Sequence, residues 1–282
     1  MKKKQYLCRK SVYNMNKILI IVLIVVMPCI MILLLVSLYY YHRWKVLWEL
    51  EEPRPLYSVF HSDTDTLRVI MIGDSWAEIH SELQMDSLLQ KQLCHFTSRP
   101  VNVVSKGKGG MRSRGIYDLM HKTSDYGTKP LIESGADYCI ISAGINDASA
   151  NLGTRQFCYY MKLMIQLLLA NGIRPVIIEA PDVNIWKLFG KRPYKSILVD
   201  YIRSLMTGCG MYHYAEYREA LKDMLISDQL MDSVVYVSMN GWNGEGTAMD
   251  LDLFLDDQLH LNRKGYEMLD SCIASAIVSD LR

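Results

Sequence analysis

Arg68-Val-Ile-Met-Ile-Gly-Asp-Ser-Trp-Ala77 is a run of four apolar, mostly β-branched residues that ends abruptly in Gly, Asp and Ser. The apolar part reads as a buried strand, and the pattern after it as a helix, so Ser75 falls at the turn leaving the strand's carboxyl end. In an open α/β sheet that edge is where ligands bind. A serine hydroxyl placed there is a candidate nucleophile wherever a base can reach it. Its ordinary explanation is a cap on the next helix.

Outward from this segment, strand-like and helix-like stretches alternate. Residues 68–72, 101–104, 138–143, 174–179 and 234–238 are short and rich in β-branched residues, as strands covered on both faces are. Between them lie apolar stripes at helical spacing. Phe157, Met161, Met164, Ile165 and Leu168 form one, closed by Gly172 as a C-cap; Tyr194, Ile197, Tyr201, Ile202 and Leu205 form another. Tyr266, Leu269, Ile273 and Ile277 form the last, behind Asn262 as an N-cap. This alternation predicts an α/β domain with a five-stranded parallel sheet and helices on both faces. Residues 182–232 hold more helix than one crossover needs and read as an insertion. Residues 239–256 form a glycine-rich loop leading to Asp257.

Asp257 and His260 stand three apart just before the final helix. An imidazole works as a general base when an acceptor holds its other nitrogen, and a carboxylate one turn away can do this. With Ser75 they give Ser, Asp and His in chain order, although a solvated turn would carry the same pair. Acyl transfer also needs donors aimed at the developing oxyanion. Two loops at strand ends can supply them: Ser105-Lys-Gly-Lys-Gly-Gly-Met-Arg-Ser113, and Gly144-Ile-Asn-Asp147 with a carboxamide. The cations Lys106, Lys108, Arg112 and Arg114 crowd the first loop; a solvated basic turn is the ordinary reading and recognition of an anionic substrate the sharper one.

Taken together these segments resemble the SGNH or GDSL hydrolase superfamily, whose four blocks match over roughly residues 66–270. Gly73-Asp-Ser75-Trp76 is similar to the first block, Gly110 (or Gly109) to the glycine of the second, Gly144-Ile-Asn146-Asp147 to the third, and Asp257-Gln-Leu-His260 to the last. Trp76 replaces a commoner Leu, and the doubled glycine blurs the second block. The resemblance implies a flavodoxin-like three-layer α/β/α sandwich and ester hydrolysis without a cofactor. It makes Ser75 the nucleophile, Asp257 and His260 its partners, and Ser75, Gly110 and Asn146 the oxyanion hole. The α/β-hydrolase alternative fails because Ser75 follows the first strand and lacks a G-x-S-x-G elbow. A phosphate loop at Gly107–Gly110 fails because no G-x-x-x-x-G-K-[ST] can be read there. The remaining histidines, His80 among them, show no metal-ligand spacing.

Before the domain, residues 18–41 run without a charge, long enough to cross the ~30 Å hydrocarbon core. Pro28 would kink such a helix, and the run ends in Tyr39-Tyr-Tyr-His-Arg-Trp44, an aromatic belt rather than a signal-peptidase site. Six cations precede it, which predicts a cytoplasmic basic tail at 1–17 and a signal-anchor helix at 18–41. A juxtamembrane linker at 42–64 and an extracytoplasmic hydrolase domain at 65–282 follow. Setting those six aside leaves 25 basic against 30 acidic residues, which argues against nucleic acid as a partner. The cysteines carry no C-x-x-C pair and read as free thiols.

The expected activity is a serine esterase releasing short O-acyl groups, acetyl above all, from a glycan or cell-envelope polymer. The loops expected to line the site (105–113, 147–153, 240–247) are polar and glycine-rich, with Trp76 and Trp242 as stacking faces for sugars. Its rivals are an O-acyltransferase using the same acyl-enzyme, a lysophospholipase or other lipid esterase, and an inactive glycan-binding module.

Overall fold

Five short β-rich segments alternate with helices, and all five become strands of one sheet. The computed structural model describes residues 17, 20, 22–61, 65–179, 182–238 and 251–282. The basic tail up to residue 16, and residues 239–250 of the glycine-rich loop with Trp242, lie outside them. The chain divides into two units, after Glu49.

The described part of the first unit is helical: a π-helical turn at Val22–Val26 and then α1 (Met27–Trp48), with Pro28 in the first turn of α1. Proline lacks an N–H, and the wider π turn lies where the α-helical ladder loses that donor. Val22–His42 is long and apolar enough to cross a membrane, with no residue of that span buried.

The second unit runs in order β1 (Leu67–Gly73), α2 (Ser75–Glu82), α3 (Asp86–Phe96), β2 (Val101–Gly107), α4 (Ser113–Leu119) and α5 (Lys129–Glu133). It continues with β3 (Tyr138–Ser142), α6 (Ile145–Ser149), α7 (Thr154–Ala170), β4 (Arg174–Ile178), α8 (Ile185–Phe189), α9 (Tyr194–Thr207), α10 (Tyr214–Ser227), β5 (Val235–Val237) and α11 (Arg263–Asp280). The strands pair in the order β2-β1-β3-β4-β5, all parallel. Helices α3 and α11 cover one face, while α4, α7 and α10 pack on the other. This is the three-layer sandwich. Val69, Met71, Ile72, Ile140 and Ile141 are buried on both sheet faces, which explains why these strands read as continuous apolar runs. The insertion at 182–232 is α8, α9, α10 and a 3-10 turn.

The stretch expected to link anchor and domain, 42–64, is built differently. Residues 42–48 continue α1. Residues 51–61 are strapped to the domain: Arg54 N–H donates to Tyr117 Oη at 2.9 Å, Tyr57 Oη to the Met120 carbonyl at 2.6 Å, and Val59 N–H to Asn171 Oδ1 at 2.8 Å. Prolines at 53 and 55 keep this strap extended, which sequence alone could not distinguish from a free linker. Cys29, Cys94, Cys139, Cys158, Cys209 and Cys272 form no disulfide.

In register, Gly73 at the end of β1 lies beside Gly107 of β2 and Ser142 of β3. The segments after these three strands therefore emerge along one edge of the sheet.

Candidate active site

At that edge β1 turns sharply into α2. A Cβ on Gly73 would lie 2.2 Å from the Ser142 carbonyl oxygen, so only glycine lets the chain pass so close to β3. Asp74 then caps α2, its Oδ1 accepting from the Trp76 N–H at 3.1 Å and from the Ser142 hydroxyl at 3.0 Å. Asn146, in the first turn of α6, donates its Nδ2 to Asp74 Oδ2 at 3.3 Å. Burial pushes the Asp74 carboxyl up to about 6, against the pull of the hydrogen bonds from Trp76 and Ser142.

Ser75, the first residue of α2, presents its Oγ 3.0 Å from His260 Nε2. His260 Nδ1 is 2.6 Å from Asp257 Oδ2. The turn that presents both residues is closed by its own backbone: Phe254 and Leu261 form an antiparallel bridge, and Leu255 N–H donates to the His260 carbonyl at 2.8 Å. Within it, Asp257 Oδ1 accepts from the Leu259 and His260 amides at 2.9 and 3.0 Å. Burial alone would raise the Asp257 carboxyl; the donors from His260 and Leu259 outweigh it and hold the group below the usual carboxylate range. The three residues are partly buried.

The doubled glycine of the neighbouring loop resolves into two positions. Gly109 is the nearer to Ser75: a Cβ there would lie 3.9 Å from Ser75 Cβ, and its N–H donates to Glu78 Oε2 at 2.9 Å. Gly110 has φ +73 and open space around it. The loop is tied down by Ser113, whose N–H and hydroxyl both donate to the buried Asp147 carboxylate, at 2.9 and 2.7 Å. Burial raises Asp147 to about 6.

Several expectations about the surroundings need correction. Trp76 is 1 % exposed and presents no face to a sugar; its indole N–H donates to the Leu259 carbonyl at 3.1 Å. Residues 147–153 are largely buried rather than lining an open groove, with Asn151 Oδ1 accepting from Tyr212 N–H at 2.9 Å and Gly153 N–H donating to Tyr217 Oη at 2.9 Å. The insertion covers them, and nothing in their polar composition reveals that. Of the four cations, Lys106 donates to the Gly127 carbonyl at 2.8 Å, Lys108 lies 4.4 Å over the Tyr126 ring, and Arg114 pairs with Glu51. A basic turn engaged with its own protein describes these three.

Residues to which the sequence assigned no part in the site complete the setting. His80, on α2, is fully buried; its Nδ1 lies 3.0 Å from Asp86 Oδ1 and 2.9 Å from Ser105 Oγ, and its Nε2 lies 2.9 Å from Asp270 Oδ1. Tyr266 Oη donates to the Trp76 carbonyl at 3.0 Å. Asp74, Asp147 and Ser113 sit inside motifs already quoted, but the side-chain pairs Asp74–Ser142, Asp74–Asn146 and Ser113–Asp147 span 34 or more residues and have no local signature. Among the described residues no three His, Cys, Asp or Glu side chains are grouped to hold a metal.

The model of the GDSL-like lipase/acylhydrolase family matches residues 71–268. No curated protein matches the chain in sequence. Among solved structures, a lipase/acylhydrolase from Enterococcus faecalis is similar at 17 % identity and TM-score 0.51, over 76 % of this chain and 96 % of that one. A variant of an acetyl-xylooligosaccharide esterase from Geobacillus is similar at 12 % identity and TM-score 0.52, over 77 % and 95 %. TesA is similar at 16 % identity and TM-score 0.51, over 74 % and 97 %. At these identities the likeness speaks for the fold.

Proposed function

The chain belongs to the GDSL-like lipase/acylhydrolase family and is an ester hydrolase, and on that premise we propose a serine esterase that removes short O-acyl groups, acetyl above all, from an envelope glycan. The reading rests on one observation: Ser75 Oγ within 3.0 Å of an imidazole whose other nitrogen is held by a carboxylate at 2.6 Å. Ser75 attacks the ester carbonyl while its proton passes to His260 Nε2. Asp257 keeps the proton on Nδ1 and stabilises the imidazolium. His260 then protonates the leaving alcohol, and water repeats the sequence on the acyl-enzyme. The Ser75 and Gly110 N–H groups and the Asn146 carboxamide are the oxyanion donors, with Asp74 fixing the carboxamide from behind.

Preference for a short acyl group on a polar alcohol is supported by what flanks Ser75. The Glu78 carboxylate, bonded to Gly109, stands beside the nucleophile where a long chain would need an apolar wall. The fold shared with the acetyl-xylooligosaccharide esterase is compatible with that substrate class. Residues 18–41 are proposed as an anchor with residues 1–17 cytoplasmic, placing the catalytic domain, 65–282, outside and close to a substrate fixed in the envelope.

A fluorophosphonate probe should label the wild type and not Ser75→Ala. kcat/KM should fall from p-nitrophenyl acetate to the octanoate and palmitate esters, and acetate should be released from an acetylated glycan. Labelling of Ser75→Ala at another residue would overturn the nucleophile. Higher efficiency on the long chains would replace the glycan reading with the lipid one.

A further inference from the structure

Helix α9 is set into the domain with its polar side inward. Asp200 and Ser204 are its buried residues, and Asp200 holds it there: its carboxylate accepts from Tyr212 Oη at 2.6 Å and lies 3.4 and 3.3 Å from the guanidinium groups of Arg192 and Arg203. The opposite side is apolar and faces outward. Tyr194, Leu198, Tyr201, Ile202, Leu205 and Met206 recur at the spacing of one helical face, and all are exposed, Tyr194 by 77 % and Leu205 by 65 %. Trp186 and Leu188 of α8 are exposed as well, by 49 % and 41 %. An amphipathic helix normally turns its apolar side to the core, so this polar seam presents the apolar side to a second medium.

Charge identifies that medium. Residues 183–199 contain Lys187, Lys191 and Lys195, besides the Arg192 that pairs with Asp200, and no acidic residue, in a chain that is net acidic beyond its first 17 residues. Aromatic and aliphatic residues on one face with lysines at its border are the signature of a helix lying in a bilayer interface and attracted by anionic headgroups. The chain brings such a surface within reach: its membrane-capable helix continues into α1, which ends at Trp48. The insertion is also joined to both halves of the site. Asn184 N–H donates to the Gln258 carbonyl at 3.1 Å, next to Asp257, and Arg203 donates to the Ala150 carbonyl at 3.4 Å, on the segment after Asn146.

We propose that the outward face of α8 and α9 docks on an anionic lipid bilayer, holding the rim of the active site against the membrane surface. This goes beyond the esterase reading and does not depend on its acyl preference.

The test uses the full chain in nanodiscs of phosphatidylcholine with and without phosphatidylglycerol, the lipids either plain or brominated on their upper acyl chains. The quenching seen in the wild type and missing in Trp186→Phe isolates Trp186. Docking predicts that bromine removes most of the Trp186 emission, that phosphatidylglycerol strengthens the effect, and that Lys191→Glu with Lys195→Glu removes the phosphatidylglycerol dependence. The double variant Leu198→Asp, Leu205→Asp should lose the quenching while keeping wild-type kcat/KM on p-nitrophenyl acetate, which is delivered from water. A Trp186 signal indifferent to brominated lipid would overturn the proposal. Concentration-dependent protection of α9 from hydrogen exchange would then assign the face to a second copy, and concentration-independent protection to residues 239–250 of the same chain.

Discussion

The indole N–H of Trp76 donates to the carbonyl of Leu259 at 3.1 Å, tying the residue after Ser75 to the residue before His260. The two segments lie 183 positions apart in sequence, and the bond is buried. It acts with Tyr266, whose hydroxyl holds the Trp76 carbonyl. The spacing between Ser75 Oγ and His260 Nε2 is therefore set by a strut beside this pair and not only by the two side chains.

Trp76→Phe keeps most of the packing and removes the strut. The Leu259 carbonyl is left buried without that donor, which costs about 1–3 kcal/mol. Loosened register should lower kcat by roughly 10- to 100-fold, the scale of an ångström-sized misplacement. Thermal unfolding should stay cooperative at a lower Tm, with KM little changed. A wild-type kcat in a variant with reduced Tm would confine the bond to stability.

Asn146→Ala removes one proposed oxyanion donor and one of the donors to Asp74. kcat should fall by about 10²–10³ with KM nearly constant, because the carboxamide acts on charge that develops only in the transition state. A rise in KM at constant kcat would instead make Asn146 a ground-state contact.

The strand-and-helix alternation was legible in the sequence because a parallel sheet buried on both faces demands continuous apolar runs such as Val69–Ile72. The groups carrying the proposed chemistry were legible too, since Asp257 and His260 share one turn and Ser75 and Asn146 each follow a strand directly. What surrounds them was not. A tryptophan after the serine looks like a substrate platform until Leu259 proves to be its partner. Asp147 and Ser113 bond across 34 residues, and His80 meets Asp270 across 190. Such contacts depend on how layers stack, and periodicity along one element is blind to them. The reversed polarity of α9 was hidden for the same reason: its apolar stripe was visible, but the side it faces is fixed by Asp200.

Glycine at 107 is required by a backbone approach, and glycine at 109 is not. A Cβ on Gly107 would sit 2.3 Å from the Glu78 nitrogen and 2.4 Å from the Asp74 carbonyl oxygen, both main-chain atoms of the Ser75 segment. A Cβ on Gly109 would be crowded by the end of the Glu78 side chain, at 2.7 Å, and would lie in ordinary contact with Ser75 Cβ, at 3.9 Å. Gly107→Ala should therefore lower Tm strongly or prevent folding. Gly109→Ala should fold with near-wild-type Tm while kcat/KM falls, because its methyl stands beside Ser75. Equal melting temperatures for the two variants would contradict the packing of β2 on α2.

His80 gives the fold a pH dependence of its own. The imidazole is enclosed by Asp86 of α3, Asp270 of α11 and Ser105 of β2, with the Tyr266 ring edge-on at 5.7 Å and Glu267 and Glu82 further out. Burial by itself would lower its pKa, but hydrogen bonds and charge from Asp270 and Asp86 outweigh burial and raise it to about 9. Asp86 is the firmer counter-ion. Burial would raise it, yet its bonds to His80 and Ser105 hold it below the usual range, whereas burial keeps the Asp270 carboxyl raised. A histidine bound more tightly to its proton in the folded state than at ~6.5 in the unfolded chain stabilises the fold fully below ~6.5. That stabilisation is lost as pH rises from there through about 9. The wild-type Tm should decline across this window more steeply than that of His80→Gln, which carries no titrating group at the site. Because α2 starts at Ser75, kcat should fall in parallel with the loosening of the cluster at the alkaline end. Parallel Tm curves for the two proteins between those pH values would show that His80 is held neutral and that the cluster is an ordinary hydrogen-bonded one.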